Sequence, residues 1–288
     1  MSPHRKQTLY ALLVALAMAA AGCGDDDDGD GNGNGNGNDN DNDNGNQLQL
    51  DPIEPGGCGL PAYDWLPADG MGELLWWEED QLSPISAAGV DVALGALTTS
   101  LSPVPYGLRV YRIRYTTQDK GRPVEATGLV AVPYNEDGPE EALPMALWLH
   151  GTTGFTAECA PSAMGIEGTG FIYLFASGGY VTAGPDYIGM DGARDAPMPP
   201  ETTHFYIGLE QAGVGSWDSM RATWQLVNEE LGLPVTASRE TVIWGASQGG
   251  HAAFAANLVA PYYAPEFDVR AMVAMVPPTD LIGLSAYS

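Results

Sequence analysis

A mostly parallel, doubly wound α/β sheet with an antiparallel start is the fold class that this sequence predicts. A continuous apolar run, 145–149, and a second buried strand, 241–244, carry the first part of that prediction. Strands buried on both faces of a parallel sheet read this way, because helices cover each face. Strand and helix patterns also alternate from residue 143 onward, and a period-two hairpin precedes them.

In chain order, residues 51–70 are rich in Pro and Gly and read as an irregular arm, packed onto the domain by Leu74, Leu75, Trp76 and Trp77. Residues 110–115 and 124–132 alternate apolar and polar side chains, with Asp119, Lys120, Gly121 and Arg122 as the turn. That pattern predicts a hairpin of half-buried strands. Residues 145–149 form a strand buried on both faces, and residues 180–183 a shorter strand entering Gly184, Pro185 and Asp186. Trp217, Met220, Trp224, Val227 and Leu231 recur at helical spacing and predict a helix over 214–231. Residues 241–244 are another buried strand, followed directly by a helix from Gln248 to about Val259; residues 269–276 are the last strand.

The N-terminal part has a different composition. His4, Arg5 and Lys6 precede an apolar run from Leu9 to Ala21, then Gly22 and Cys23. Thirteen residues span only about 20 Å as a helix, short of a bilayer core of roughly 30 Å, so residues 1–22 read as an export signal. Ala20, Ala21, Gly22 and Cys23 resemble a bacterial lipobox, which would make Cys23 a lipidated residue and a membrane anchor at the cell surface or periplasm. Ala20 departs from that motif, whose usual residue there is a larger aliphatic one. Ordinary signal cleavage and secretion is the alternative. Residues 24–46 contain only Gly, Asp and Asn and bury no apolar surface, so 23–50 is expected to be a disordered linker or stalk. Residues 51–288 then form the folded domain, large enough for one sizeable core.

The net charge is −26, of which the Asp-rich linker carries only part. Such a surface repels nucleic acid and anionic membranes. No metal or organic cofactor is implied. Apart from Cys23, Cys58 and Cys159 remain; in an exported protein they suggest a disulfide, and two free buried thiols are the alternative.

Two motifs carry chemistry. Residues 241–256 read as strand, then Gly245-Ala246-Ser247-Gln248-Gly249, then helix. In so tight a strand-to-helix turn, side chains two before and two after the serine would collide, which explains Gly245 and Gly249. Ser247 is then held strained and exposed at a helix N-terminus, as a nucleophile for acyl transfer requires. The second motif, His150-Gly151-Thr152-Thr153-Gly154, directly follows the apolar strand 145–149. Attack on a carbonyl needs two backbone N–H donors aimed at the developing oxyanion. Gln248 supplies one and Thr152 the other, with Gly151 and Thr153 as neighbours that could serve instead. Gly151 lets the backbone approach, and His150 braces the loop.

Arg109 to Asp119, Gly121 to Pro133, the His-Gly-Thr-Thr-Gly loop, Gly184-Pro185-Asp186-Tyr187 and Trp244 to His251 together resemble the secretory lipases. The run Cys159-Ala160-Pro161-Ser162 and the pair Asp218 and Arg221 fit as well. The resemblance covers roughly residues 100–288. It implies an exported protein of the α/β-hydrolase fold that cleaves carboxylic esters, with an acyl ester or lipid as substrate.

In this fold the triad runs Ser, then Asp or Glu, then His. No histidine follows His251. His150, His204 and His251 read as structural, Asp186 as a loop-fixing acceptor, and Asp280 as the start of a cap or lid. The triad acid and base are therefore expected outside this chain, making it a C-terminally truncated α/β hydrolase with an unpaired sheet edge. The expected function is a serine carboxylic ester hydrolase, lipase or esterase. A silent surface lipoprotein on the same scaffold is the alternative, and ester versus amide substrate, acyl length and oligomeric state stay open.

Overall fold

The computed structural model describes residues 65–95, 103–119, 121–135, 138–139, 141–164, 166–190, 192 and 204–279. The export signal, Cys23, the 23–50 linker, Cys58 and Asp280 lie outside the described residues.

Seven strands form one sheet: β1 (Leu74–Glu79), β2 (Gly107–Asp119), β3 (Arg122–Tyr134), β4 (Leu143–Leu149), β5 (Val181–Pro185), β6 (Ala237–Ala246) and β7 (Asp268–Met275). Their spatial order is β1-β2-β3-β5-β4-β6-β7. The first four in that order pair antiparallel, while β5, β4, β6 and β7 run parallel. Among the described residues four α-helices accompany them: α1 (Ala87–Leu94), α2 (Ile166–Ser177), α3 (Leu209–Gln225) and α4 (Gln248–Tyr263). This is the predicted α/β-hydrolase arrangement, a doubly wound parallel half with an antiparallel start.

The period of two along each strand sorts the core into two layers. On one face Tyr111, Ile113, Val130, Val132, Leu147 and Leu149 pack with Val214, Trp217 and Met220 of α3 and with Ala252 and Ala256 of α4. On the other, Leu108, Val110, Leu129, Ala131, Trp148 and Trp244 pack with Val90 and Leu94 of α1 and with Ile172, Tyr173 and Leu174 of α2. Strand β2 keeps the expected alternation from Tyr111 to Thr116, whereas β3 is buried on both faces from Ala126 to Pro133, not half-buried as its pattern suggested. Along β3 both sets of alternate side chains enter a core layer.

Several boundaries differ from the sequence reading. Leu74 to Glu79 is an edge strand antiparallel to β2, where packing residues of an arm were expected. Trp77 meets Tyr111 edge-on at 5.9 Å there. Helix α3 starts at Leu209 and runs on into a π turn, Leu226–Glu230. Helix α4 continues through Pro261 to Tyr263, which is 3% exposed. The Tyr263 hydroxyl donates to the buried Asp218 carboxylate at 3.0 Å, which also accepts from Thr117 at 2.7 Å and Arg221 at 2.8 Å. That anchor holds the last turn of α4 in place despite the hydrogen bond a proline forfeits. Among the described residues β7 pairs only with β6, and α4 presents Phe254, Leu258 and Tyr262 to solvent.

Candidate active site

The site lies where the chain reverses direction across the sheet. From the central β4 the chain crosses by α2 to β5 on one side, then by α3 to β6 on the other. Loops at the carboxyl ends of strands flanking such a switch point form a crevice. Leu149 and Gly245 are register partners on β4 and β6, so residues 150–151 emerge beside residues 246–247.

Ser247 joins β6 to α4 with φ 56° and ψ −120°, a left-handed backbone that a serine adopts only when its surroundings enforce it. Its side chain is exposed, its N–H donates to Met275 O at 2.9 Å, and its carbonyl accepts from His251 N–H at 3.2 Å. The flanking glycines answer to close backbone approach. A Cβ on Gly245 would collide with the backbone of Gly249, as the tight turn requires. A Cβ on Gly249 would instead strike the carbonyls of Leu149 and His150, so that glycine admits the end of β4 as well. Gly250 is held in the same way, with Met275 O 2.6 Å from where its Cβ would lie.

The His150 loop packs directly on this turn. A Cβ on Gly151 would sit 3.8 Å from Ser247 Cβ. His150 is 1% exposed; its Nδ1–H donates to Gly151 O at 2.7 Å, leaving Nε2 buried without a hydrogen-bond partner. Burial pushes its imidazole down to about 4, against a smaller opposing pull from the Gly151 and Asp186 backbones. The ring is therefore neutral at pH 7. Tyr187 packs on it with centroids 4.2 Å apart and planes tilted by 34°, and donates its hydroxyl to His150 O at 2.9 Å. Asp186, fully buried, accepts from Thr127 Oγ1 at 2.6 Å, from Ser162 N–H at 2.9 Å and from the Ser162 hydroxyl. It fixes the loop after β5, in the role its sequence position suggested.

His204 sits closer to the nucleophile's turn than a residue on a connecting segment was expected to. Its Nδ1–H donates to Ile188 O at 3.3 Å, and its Nε2 accepts from Gln248 Nε2 at 3.0 Å. Two residues on, the Tyr206 hydroxyl bonds Thr152 Oγ1 at 2.8 Å. Phe155 packs against both rings, at 6.0 Å from His204 and 5.4 Å from Tyr206. The signal was present as an aromatic run, His204-Phe205-Tyr206, leading into the helix that packs on α4. His251 lines a cavity of about 10 Å³ with Tyr187, His204 and Gln248, room for about one water molecule. His251 Nδ1 and Gln248 Oε1 are buried there without protein partners. The imidazoles of His150 and His204 bond Gly151 O, Ile188 O and Gln248 Nε2, not the Ser247 hydroxyl, and His251 reaches Ser247 only through its backbone N–H.

Cys159 is buried and free of any disulfide among the described residues; Thr156 Oγ1 donates to its sulfur at 3.6 Å. No group of three His, Cys, Asp or Glu among the described residues is arranged to hold a metal ion. No described helix is long and apolar enough to cross a membrane.

The strand order and helix placement are those of the α/β-hydrolase fold. Within that class, residues 155–285 match the family model of the secretory lipases, the resemblance that the sequence motifs implied. The matched stretch holds the elbow and begins just after the His150 loop. No curated protein matches the chain significantly. Among solved structures, a candidate hydrolase of Legionella pneumophila is 29% identical with a TM-score of 0.58, over 72% of this chain and 52% of its own. The rice cell wall degrading esterase LipA from Xanthomonas oryzae is 25% identical with a TM-score of 0.58, over 72% of this chain and 51% of its own. The chain thus spans about half the length of the structures it matches.

Proposed function

We propose that this protein is an exported serine carboxylic ester hydrolase, a lipase or esterase, acting through an acyl-enzyme at Ser247. The observation that carries this reading is the strained, exposed Ser247 at the start of α4, with the end of β4 pressed against its turn. Ser247 Oγ attacks the ester carbonyl, and the N–H groups of Gln248 and Thr152 hold the oxyanion. The alcohol leaves, and water then releases the acid and regenerates the serine. The scheme uses no metal or organic cofactor. Similarity to an esterase and to the secretory lipases supports an ester as the substrate. The general base and its orienting acid fall to none of the described residues. On the same reading residues 1–22 direct export, Cys23 carries a lipid and residues 23–50 form the stalk that holds the domain off the membrane.

The full-length protein should react with a fluorophosphonate at Ser247 and hydrolyse p-nitrophenyl esters. Full activity in Ser247→Ala would overturn the assignment. A second reading, a silent lipoprotein on the hydrolase scaffold, draws on the imidazoles among the described residues, which bond groups other than the Ser247 hydroxyl. Absence of both labelling and turnover in a folded full-length protein would favour it. Retention of a Cys23→Ala variant in the membrane fraction would exclude the lipid anchor.

A further inference from the structure

We infer that His204 and Tyr206 are positioning residues that clamp the two halves of the oxyanion site together, an inference that rests on the proposed ester hydrolysis. The two donors come from separate parts of the chain, Thr152 from the loop after β4 and Gln248 from the first turn of α4. One short segment reaches both. Gln248 Nε2 donates to His204 Nε2 at 3.0 Å, and the Tyr206 hydroxyl bonds Thr152 Oγ1 at 2.8 Å. An oxyanion held by two amides gains most when their separation is fixed before the charge develops.

The clamp is itself held rigidly. His204 is pinned behind by Ile188 O at 3.3 Å and lies parallel to Tyr187, with centroids 6.0 Å apart and planes 14° apart. Tyr187 in turn grips His150 O at 2.9 Å. Directly after Tyr206 the chain turns through Ile207 at φ 59°, a conformation strained for a β-branched residue that persists only where its neighbours enforce it. Gly208 N–H closes the turn on Phe205 O at 3.1 Å, just ahead of α3. A mere connector between β5 and α3 would not need a strained residue beside two side chains that each bond an oxyanion residue. Neither His204 nor Tyr206 touches the reacting atoms in this scheme; they act through Gln248 and Thr152.

Tyr206→Phe removes one hydroxyl, and His204→Phe removes the acceptor for Gln248 while keeping a ring. In the full-length protein each should lower kcat for p-nitrophenyl butyrate, and the rate of fluorophosphonate labelling, about tenfold. KM should stay within about twofold and the melting temperature near that of the wild type. The double variant should lose little more than either single one, because the two bonds close one clamp. His204→Gln, which can still accept from Gln248, should recover part of the loss. Unchanged kcat in both single variants, or a lowered melting temperature with unchanged kcat, would overturn the clamp. If the wild type neither labels nor turns over, the ester-hydrolase reading fails first and the clamp falls with it.

Discussion

The indole N–H of Trp217 donates to Ala256 O at 2.8 Å, joining the middle of α3 to the helix that begins at Ser247. Trp217 is fully buried and also packs on Phe267 at 5.3 Å. Trp217→Ala removes a large core side chain together with this link and should cost about 3–5 kcal/mol, read as a lowered urea midpoint. A loss under about 1 kcal/mol would show that α3 and α4 are held together by other contacts.

Gly249→Ala places a methyl group against the carbonyls of Leu149 and His150, the latter 2.6 Å away. Backbone on both sides cannot yield as a flexible side chain would. The variant should lose about 3 kcal/mol of stability, and its folded fraction should label poorly because the oxyanion loop is displaced. Wild-type melting with wild-type labelling would contradict the close approach of β4 to this turn.

Ser247 holds a strained backbone at φ 56°, so relief should be measurable there. Ser247→Gly removes the left-handed penalty and should be about 1 kcal/mol more stable than Ser247→Ala, with neither variant labelled. Equal unfolding free energies for the two would show that this backbone conformation is unstrained.

Acid should weaken the fold through His150. Its imidazole is depressed from 6.5 to about 4 by burial, so the folded state binds a proton less readily than the unfolded chain. The stability tied to keeping it neutral is fully present above about pH 6.5 and is lost as pH falls toward 4. The displacement corresponds to about 3 kcal/mol across that window. Asp218, pushed up to about 6 chiefly by burial, opposes this, because its protonation favours the folded state. The comparison must therefore be with His150→Asn, which can still donate to Gly151 O but does not titrate. Urea unfolding at pH 7, 5 and 4 should show the wild type losing more than the variant; parallel losses would exclude His150 as a source of acid sensitivity.

The sequence made the elbow legible because its glycines are dictated by local geometry, and local geometry is written in adjacent residues. The parallel strands were equally readable, since 145–149 is apolar throughout and 242–244 is apolar behind Thr241, as burial on both faces favours. The edge strand Leu74–Glu79 was missed because its tryptophans read as anchors; whether such a run pairs with β2 depends on a partner far along the chain. His204 was placed on a connector for the same reason. Its bond to Gln248 spans 44 positions and leaves no periodic trace in the sequence. The second demand on Gly249 was also hidden, because the colliding carbonyls belong to β4.

That last contact bears on how the site can be altered. The nucleophile's turn and the loop that follows β4 share a surface with no side chain between them, so neither has slack of its own. Enlarging the loop to admit a bulkier acyl group would push on Gly249 before it opened any space, and the serine would move with it. For an engineer these two segments are a single part, and substrate range is better sought at Phe155 and Phe205, which are exposed.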